Sequence, residues 1–245
     1  MPSLENYSRE LDYSYAPGFF PSMEALKKRP ETVRRVLLHS KLTPSAGVDE
    51  MLTLCARHNV RTETADKALA RVSGKENCFA AAVFDKAQGT PDRKSNHLVL
   101  NCPGDKGNLG TILRSALGFG FYDIAIIRPA ADHFDPHVIR ASMGALFSLR
   151  IREYDMFDDY MSAFPGHTRY PFMLTGSMPL HQAAQRAKAP FSLIMGNEGS
   201  GLPDSFAALG QAVRIPHNRE IDSLNLAVAA AIGMYAFSSA ASAEL

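Results

Sequence analysis

Five short apolar runs lie beyond residue 96, and a helical pattern separates each run from the next. They read HLVLNC, DIAIIR, FMLTG, FSLIMG and AVRIPH. Strands that are buried on both faces of a sheet have this composition, and helices between them supply the crossovers that parallel strands need. The pattern therefore predicts an α/β fold in which helices cover a parallel sheet.

A smaller alternating unit precedes these runs. From Ser22 onward, apolar spacing and flanking Gly, Pro and Asn predict helix and strand in alternation, over SMEALKK, VRRVLLH, VDEMLTLCARH, VRTETA, DKALARVSG and FAAAVF. Residues 86–96, KAQGTPDRKSN, contain no large apolar side chain, which is typical of a linker. We therefore predict a small α/β domain over residues 1–85 and a larger domain over residues 97–245.

Composition limits the class of protein. The chain has 245 residues, of which 46% are hydrophobic, and a formal net charge of +1, so it can bury a core as one large or two small domains. The most apolar stretch, Leu224 to Phe237, is shorter than the roughly 20 residues that span a bilayer. The first 20 residues lack a basic segment followed by an apolar core, so the expected location is the cytoplasm.

Several familiar chemistries have little support in the sequence. The three cysteines form no C-x-x-C pair, which argues against a disulfide framework or a thiolate zinc site. His133, Asp135 and His137 are close in sequence, but Pro136 interrupts them and no further ligand is evident, so we expect no metal. The chain has no G-x-S-x-G elbow, and GDKGNLG does not supply the dinucleotide fingerprint G-x-G-x-x-G.

The first segment with candidate functional residues covers residues 104–120, after the run HLVLNC. Asn108 can cap a helix, because its side-chain oxygen can accept a backbone N–H that lacks a partner. One apolar stripe follows, formed by Leu109, Ile112, Leu113, Ala116 and Leu117. Arg114 lies off that stripe by roughly 130°, at about 100° per residue, so it should point away from the sheet. An arginine in such a place is often simply solvated.

The second segment, LIMGNEGSGLPD, covers residues 193–204 and breaks a buried strand with three glycines. Glycine lets a backbone approach a ligand closely, so amide and carbonyl groups around Asn197 and Glu198 could bind a molecule. A tight turn between strand and helix is the alternative. A phosphate site is disfavoured because Glu198 would repel it and no lysine follows the glycines.

The third segment, RIPHNREIDSLNLAVAAAIGMYAF, covers residues 214–237. Asp222 or Ser223 can cap the helix that follows, and the alanines with Gly233 make that helix thin enough for close backbone packing. Ser223 and Asn225 can be explained as a cap and one satisfied polar group. A functional role for them is the alternative.

Together the three segments resemble the SPOUT superfamily of RNA methyltransferases, in its SpoU branch of ribose 2′-O-methyltransferases. The family motif N-x-G-x-x-x-R matches residues 108–114, G-[NS]-E-G-x-G-L matches 196–202, and I-P…S-L-N matches 215–225. HVIRASMGALF, residues 137–147, is similar to a segment between the first two motifs. The N-terminal unit more loosely resembles the small ribosomal-protein-like substrate-binding domain of many members.

The resemblance implies a C-terminal deep trefoil knot, a homodimer, and S-adenosylmethionine bent in the knotted crevice without a metal. The thin C-terminal helix would pack within the knot and at the dimer interface. Backbone groups would hold most of the cofactor. By position, the implied cofactor-binding residues are Gly196, Ile215 and Leu224, with Thr175, Gly176, Met195 and Asn197 as further candidates.

The resemblance also implies an active site around Arg114. Because a guanidinium normally stays protonated, we favour Arg114 as a hydrogen-bond donor to an RNA phosphate or to the developing 2′-oxyanion. Asn108, Ser223 and Asn225 would orient the ribose and Arg114. Glu198 would hold that network or the arginine of the facing subunit.

RNA binding is assigned to the N-terminal unit and its basic cluster, KKRPETVRR. Five positive charges occur there within nine residues: Lys27, Lys28, Arg29, Arg34 and Arg35. A solvated helix end is the alternative explanation. The additional domain favours rRNA over tRNA as substrate. A non-catalytic RNA-binding protein with this fold, and an unrelated α/β nucleotide-binding enzyme, remain alternatives.

Overall fold

The computed structural model of the protein describes residues 5–73, 78–218 and 220–242. Its helices and strands follow along the chain in this order: β1 (Tyr13–Pro17), α1 (Phe19–Lys28), β2 (Val33–Leu38), α2 (Ala46–Arg57), β3 (Arg61–Thr64), α3 (Asp66–Ser73), β4 (Ala80–Asp85), β5 (His97–Asn101), α4 (Lys106–Gly118), β6 (Asp123–Ile127), α5 (Pro136–Ala141), β7 (Arg150–Tyr154), α6 (Phe157–Ala163), β8 (Thr168–Pro171), β9 (Met178–Pro179), α7 (Leu180–Arg186), β10 (Phe191–Met195), β11 (Val213–Arg214) and α8 (Leu226–Ser242). The chain forms two compact units. The first runs to Ala87 and adds Asp132–Ser148, and the second contains Gln88–Ala131 and the residues from Leu149 onward.

The first unit contains a four-stranded sheet in the order β1-β4-β2-β3. β4 is antiparallel to β1 and β2, whereas β2 and β3 are parallel. Its core buries Tyr15, Leu37, Leu69 and Val83. The six predicted elements are confirmed, but β1 was not predicted, because its second residue, Ser14, is polar. Its hydroxyl is buried and donates to the carbonyl oxygen of Phe134 at 2.5 Å.

Residues 132–148 pack with the first unit, although sequence analysis placed them in the domain that begins at residue 97. Aromatic contacts explain this position, since the Phe84 ring lies 4.9 Å from that of Phe147 and 6.4 Å from that of Phe134. Gly144 has a φ of +81°, and a Cβ there would lie 3.0 Å from Cα of Pro21. Because these contacts join residues far apart in sequence, no local sequence pattern predicts the position of residues 132–148.

The second unit contains a five-stranded parallel sheet in the order β7-β6-β5-β10-β8, which confirms the predicted fold class. Two strand predictions differ from the structure. FMLTG is not a strand, because the chain pairs with β10 through the preceding residues Thr168–Pro171. AVRIPH contributes only the two residues of β11, and β7 was not predicted. Among the described residues, no helix has both the length and the hydropathy that crossing a bilayer requires.

The polar segment predicted as a linker is bound to this sheet over residues 88–96. Gly89 donates its amide to the carbonyl of Ile151 at 2.7 Å, and Asp92 donates its amide to Asp123 Oδ1 at 2.9 Å. The carbonyls of Asp92 and Arg93 lie 2.8 and 3.0 Å from ring nitrogens of two buried histidines. A segment without apolar residues is therefore held by hydrogen bonds of its main chain.

Those two histidines belong to a buried polar network. His97 Nδ1 lies 3.0 Å from the Tyr160 hydroxyl, which lies 2.6 Å from Ser192 Oγ, and Ser192 lies 2.9 Å from His167 Nδ1. Burial lowers the pKa of His97 to about 4, so its ring is neutral at neutral pH. Since a carbonyl only accepts, Nε2–H of His97 donates to Asp92 and Nδ1 accepts from Tyr160.

Replacing Tyr160 by Phe tests how strongly this network stabilises the unit. The change removes the hydroxyl while keeping the ring, and it should lower the free energy of unfolding by about 1–3 kcal/mol. Urea unfolding measures this. Tyr154→Phe is the matched control, because Tyr154 is also buried but its hydroxyl bonds to no described residue. Equal losses in both variants would contradict the network's role.

Candidate active site

The first motif lies at the start of α4. Asp105, rather than Asn108, caps this helix, and its side chain accepts the amide of Asn108 at 2.7 Å. The predicted cap is therefore wrong, because the helix begins at Lys106 and Asn108 already lies inside its first turn. Arg114 is exposed, as the stripe predicted. Its guanidinium bonds to no residue that the structure describes.

Glu198 joins the second motif to the first. Its carboxylate accepts the backbone amides of Gly104 at 2.9 Å and Asp105 at 3.1 Å, and the Asn108 side-chain amide at 3.3 Å. Partial burial acts to raise the pKa of Glu198, but these donors together with its own amide hold the pKa below its ordinary value. Glu198 thus remains an anion and ties the loop after β10 to the start of α4.

Asn197 gives that loop its shape. Its backbone forms both hydrogen bonds of an antiparallel bridge with Gly201, and its side-chain oxygen accepts the amides of Gly199 and Ser200. Its Nδ2 donates to the carbonyl of Cys102 at 2.8 Å. The loop is therefore a closed turn, and the Asn197 side chain is committed to holding it.

The glycine at the start of this loop is required by the chain itself. A Cβ on Gly196 would lie 2.3 Å from the carbonyl carbon of Gly201. Gly176 is similar, since a Cβ there would lie 2.5 Å from the carbonyl carbon of Val213. These glycines permit close approach of backbone to backbone, whereas the sequence had suggested approach of backbone to ligand.

The third motif meets the other two at the start of α8. Asn225 caps this helix, since its Oδ1 accepts the amides of Ala227 at 2.9 Å and Val228 at 3.3 Å. The predicted caps, Asp222 and Ser223, lie too far upstream. Asn225 Nδ2 also donates to Asn108 Oδ1 at 3.0 Å. Hydrogen bonds therefore run from Asn225 through Asn108 to Glu198.

A cavity of about 420 Å³ lies in the second unit between these loops. Its lining contains most of the predicted cofactor-binding residues and two of the predicted catalytic ones: Thr175, Met195, Gly196, Asn197, Ile215 and Leu224, with Glu198 and Ser223. Among the described residues, none accepts the backbone N–H of Ile215 or Leu224. Main-chain donors are thus available at the cavity wall.

Carboxylates outnumber guanidinium groups among the residues that line the cavity. Glu198, Asp204 and Asp222 line the cavity, against the single guanidinium of Arg214. His217 also lines it, with Nδ1 2.9 Å from the carbonyl of Ile215. Sequence analysis did not single out Asp204, Arg214 or His217, although His217 lies beside the I-P dipeptide of the third motif. This wall favours a cation over a phosphate.

Other predicted site residues lie outside the lining. Asn108 and Asn225 are connected to it through Glu198, and Gly176 is buried beside β11. Arg114 is not among the lining residues of its own chain. Asp105 was missed, although an Asp immediately before a helix is a recognisable cap signal.

Carboxylates pair with three of the five cations in the predicted RNA-binding cluster. Lys27 pairs with Glu50 at 2.7 Å, and Arg35 pairs with Glu63 at 3.1 Å. Arg34 bonds to Asp12 and to Asp85. Arg29 Nε donates to the carbonyl of Phe147 at 3.1 Å. RNA binding by this cluster stays a prediction, and most of its cations have partners within the fold.

The sequence and structure were compared with known proteins. The family model for the SpoU rRNA Methylase family matches residues 95–235. The chain is 33% identical over 134 residues to ribosomal RNA small subunit methyltransferase G 2 of Syntrophobacter fumaroxidans, covering 55% of this chain and 25% of that protein. It is 30% identical over 141 residues to the 23S rRNA (guanosine(2553)-2′-O)-methyltransferase RlmP of Bacillus subtilis, covering 56% of each chain. The chain thus spans a quarter to about half of these relatives.

A solved structure extends the likeness to both units. The SpoU methyltransferase AviRb from Streptomyces viridochromogenes, in complex with AdoMet, aligns with a TM-score of 0.78 and 24% identity. The alignment covers 93% of this chain and 90% of that one. This likeness shows that the fold is shared.

Glu198→Gln tests the hydrogen bonds by which Glu198 joins the second motif to the first. The amide keeps the shape of the carboxylate but replaces one acceptor oxygen by a donor, which should lower stability by about 1 kcal/mol at neutral pH. Because the folded-state pKa of Glu198 lies below its ordinary 4.5, this stabilisation is present above about that pH and disappears as the pH falls through the folded-state value. Thermal unfolding against pH measures it, with the exposed Glu31→Gln as control. If the difference in unfolding temperature between wild type and Glu198→Gln stayed constant down to acid pH, the assignment would be contradicted.

Proposed function

Because this chain belongs to the SpoU rRNA methylase family, we propose that it transfers a methyl group from S-adenosylmethionine to a ribose 2′-hydroxyl of structured RNA. One observation carries the proposal. The three separate motifs are joined by hydrogen bonds from Asn225 through Asn108 to Glu198, and Glu198 is also part of the cavity wall. The named activity of the 23S rRNA relative, a 2′-O-methyl transfer, supports this reaction.

The cavity suits this cofactor in size and charge. Its volume of about 420 Å³ lies within the range of small-molecule sites, which is roughly 300–1,000 Å³. Three lining carboxylates favour a cationic sulfonium, and the amides of Ile215 and Leu224 can donate to the acceptor atoms of a purine. Bound there, S-adenosylmethionine would supply an electrophilic methyl group. The AdoMet complex of the AviRb structure supports the same choice.

We further propose that the C-terminal segment is threaded as a trefoil knot. Close backbone contacts around residues 173–176 support this. Met173 donates its amide to the carbonyl of Val213 at 2.9 Å, and Gly176 has no room for a Cβ beside the same residue. β11 therefore runs tightly against this turn before the chain enters α8.

A homodimer is proposed from the surface of α8. Val228, Ile232 and Tyr235 are 48%, 36% and 60% exposed, and their spacing places them on one face of the helix. Such an apolar stripe is a ready surface for a second copy of the chain. Burial of α8 between two copies would also explain why so apolar a helix has an uncovered face.

The dimer gives Arg114 a place in the reaction. Since Arg114 does not line the cavity of its own chain, we assign it to the cavity of the facing subunit. Its guanidinium stays protonated and donates to the ribose 2′-oxygen or to the adjacent phosphate. The hydroxyl proton would leave to solvent or to a phosphate as the bond from oxygen to methyl carbon forms. The bond from that carbon to the sulfonium sulfur would break, and the donor would leave as a neutral thioether. Ser223 and Asn225 orient the ribose, and Glu198 keeps the surrounding loops in place.

The RNA target is proposed to be rRNA in the cytoplasm, which the family and the named relatives support. A tRNA target is the second candidate, since one structure of similar fold concerns methylation of C/U34 on tRNA. Maps of ribose methylation in rRNA and tRNA, from cells with and without the gene, would decide between them.

Arg114→Ala tests the catalytic assignment. Loss of one transition-state donor should lower methyl transfer to rRNA from gene-deleted cells by roughly 10²–10³-fold. Calorimetry should show unchanged S-adenosylmethionine affinity, because Arg114 is assigned to the ribose oxygen or its phosphate and not to the cofactor. Arg186→Ala changes another exposed arginine, at the end of α7, and should retain full activity. Near-normal methyl transfer by Arg114→Ala would show that Arg114 takes no part in the mechanism. If calorimetry detects no binding of S-adenosylmethionine to the wild-type protein, the proposed function is refuted.

Ile232→Asp tests the dimer. A charge in the centre of the apolar stripe should shift the protein to monomer, because it cannot be buried without a partner. Analytical ultracentrifugation measures the change, and methyl transfer should fall with it if Arg114 acts across the interface. Leu52→Asp is the control, because Leu52 lies in α2 and is 41% exposed, against 36% for Ile232. This variant should leave the mass measured by ultracentrifugation unchanged. A wild-type monomer would contradict the proposal.

A further inference from the structure

The first unit contains a second cavity, of about 490 Å³. Hydrogen-bonding side chains dominate its wall, and we call it the basic pocket after the guanidinium groups of Arg71 and Arg140. The other hydrogen-bonding side chains of the wall belong to Asn6, Tyr7, Ser73, Asp135 and His137. Nothing in the proposed reaction uses these residues, and sequence analysis did not connect them, because they come from three distant parts of the chain.

Hydrogen bonds hold the basic pocket in shape. Arg140 Nη1 donates to the carbonyl of Ser73 at 2.9 Å, which fixes the guanidinium while leaving other N–H groups on its fork. Asp135, the carboxylate in the wall, caps α5 by accepting the amide of His137 at 2.8 Å. Tyr7 donates its hydroxyl to Asp132. The acidic groups near the pocket thus already accept internal donors.

The charge of the surroundings also favours an anion. Lys86 Nζ lies 4.6 Å from the centre of the Tyr7 ring, so a further cation is adjacent to the wall. Lys27, Arg34 and Arg35 of the predicted RNA-binding cluster each face a carboxylate. These carboxylates weaken the positive field that a polyanion would meet there. The basic pocket is a second surface of the first unit that carries guanidinium groups.

We propose that the basic pocket binds backbone phosphates of the RNA substrate. This rests on the proposed function for the identity of the polyanion. Guanidinium forks match the oxygens of a phosphate, and Asn6, Tyr7 and His137 can add hydrogen bonds to phosphate or ribose. Phosphate contacts would position the RNA without selecting its sequence, which suits a substrate-binding unit attached to a separate methyl-transfer unit.

The test measures affinity for a fluorophore-labelled RNA hairpin at several salt concentrations. Arg71→Gln and Arg140→Gln should each weaken binding about tenfold and reduce the slope of log affinity against log salt by about 1. Lys27→Gln is the matched control, since it removes the same charge from a pair with Glu50. It should leave affinity within about twofold and the slope unchanged. Arg140→Lys should be intermediate, because it keeps the charge and loses the fork.

Folding is checked by thermal unfolding and by S-adenosylmethionine affinity, both expected at wild-type values. If Arg140→Gln fails to fold, Arg71→Gln and His137→Gln change exposed side chains and keep the test valid. Wild-type salt slopes in these variants would overturn the proposal, as would an equal loss in Lys27→Gln. A protein that binds RNA through the pocket but neither binds S-adenosylmethionine nor transfers methyl would refute the proposed function alone.

Discussion

The carboxylate of Glu198 is the interaction on which the site depends. It accepts two backbone amides where the chain turns into α4, and a side-chain amide from inside that helix. These donors would otherwise lack partners at a helix start, and the positive end of the helix dipole favours an anion there. Because Asn108 also bonds to Asn225, the start of α4 is joined to segments 90 and 117 residues further along the chain.

The hydrogen bonds of the site give several motif residues a structural role. Asn197 and Asn225 were expected to face ligands, and Glu198 to hold the network around Arg114. All three side chains hold backbone: a closed turn, a helix cap and a helix start, respectively. The glycines at 176 and 196 likewise make room for neighbouring backbone. Asn225 also explains the polar start of the apolar α8, because it is the cap of that helix. Much of the motif therefore builds the cavity.

How far the sequence could predict the structure varies with the range of the interactions. Apolar periodicity located β5, β6 and β10 and the exposed position of Arg114, because such patterns are local. It failed for FMLTG, since pairing with β10 decides which residues form β8. Composition likewise gave no indication of the partners of residues 88–96 and of Lys27 to Arg35, which are distant carbonyls, histidines and carboxylates. Composition describes a segment, whereas hydrogen bonds and ion pairs depend on what the fold brings next to it.

The same limit applies to charge. A formal net charge of +1 indicated neither a cationic nor an anionic ligand. In the folded chain, three carboxylates and one arginine line one cavity, whereas two arginines, one aspartate and a histidine line another. In the proposed function, a methyl donor with a sulfonium and a substrate with phosphates would place opposite demands on one protein, and separate cavities would meet both. The charge of each wall, rather than the net charge of the chain, determines what binds there.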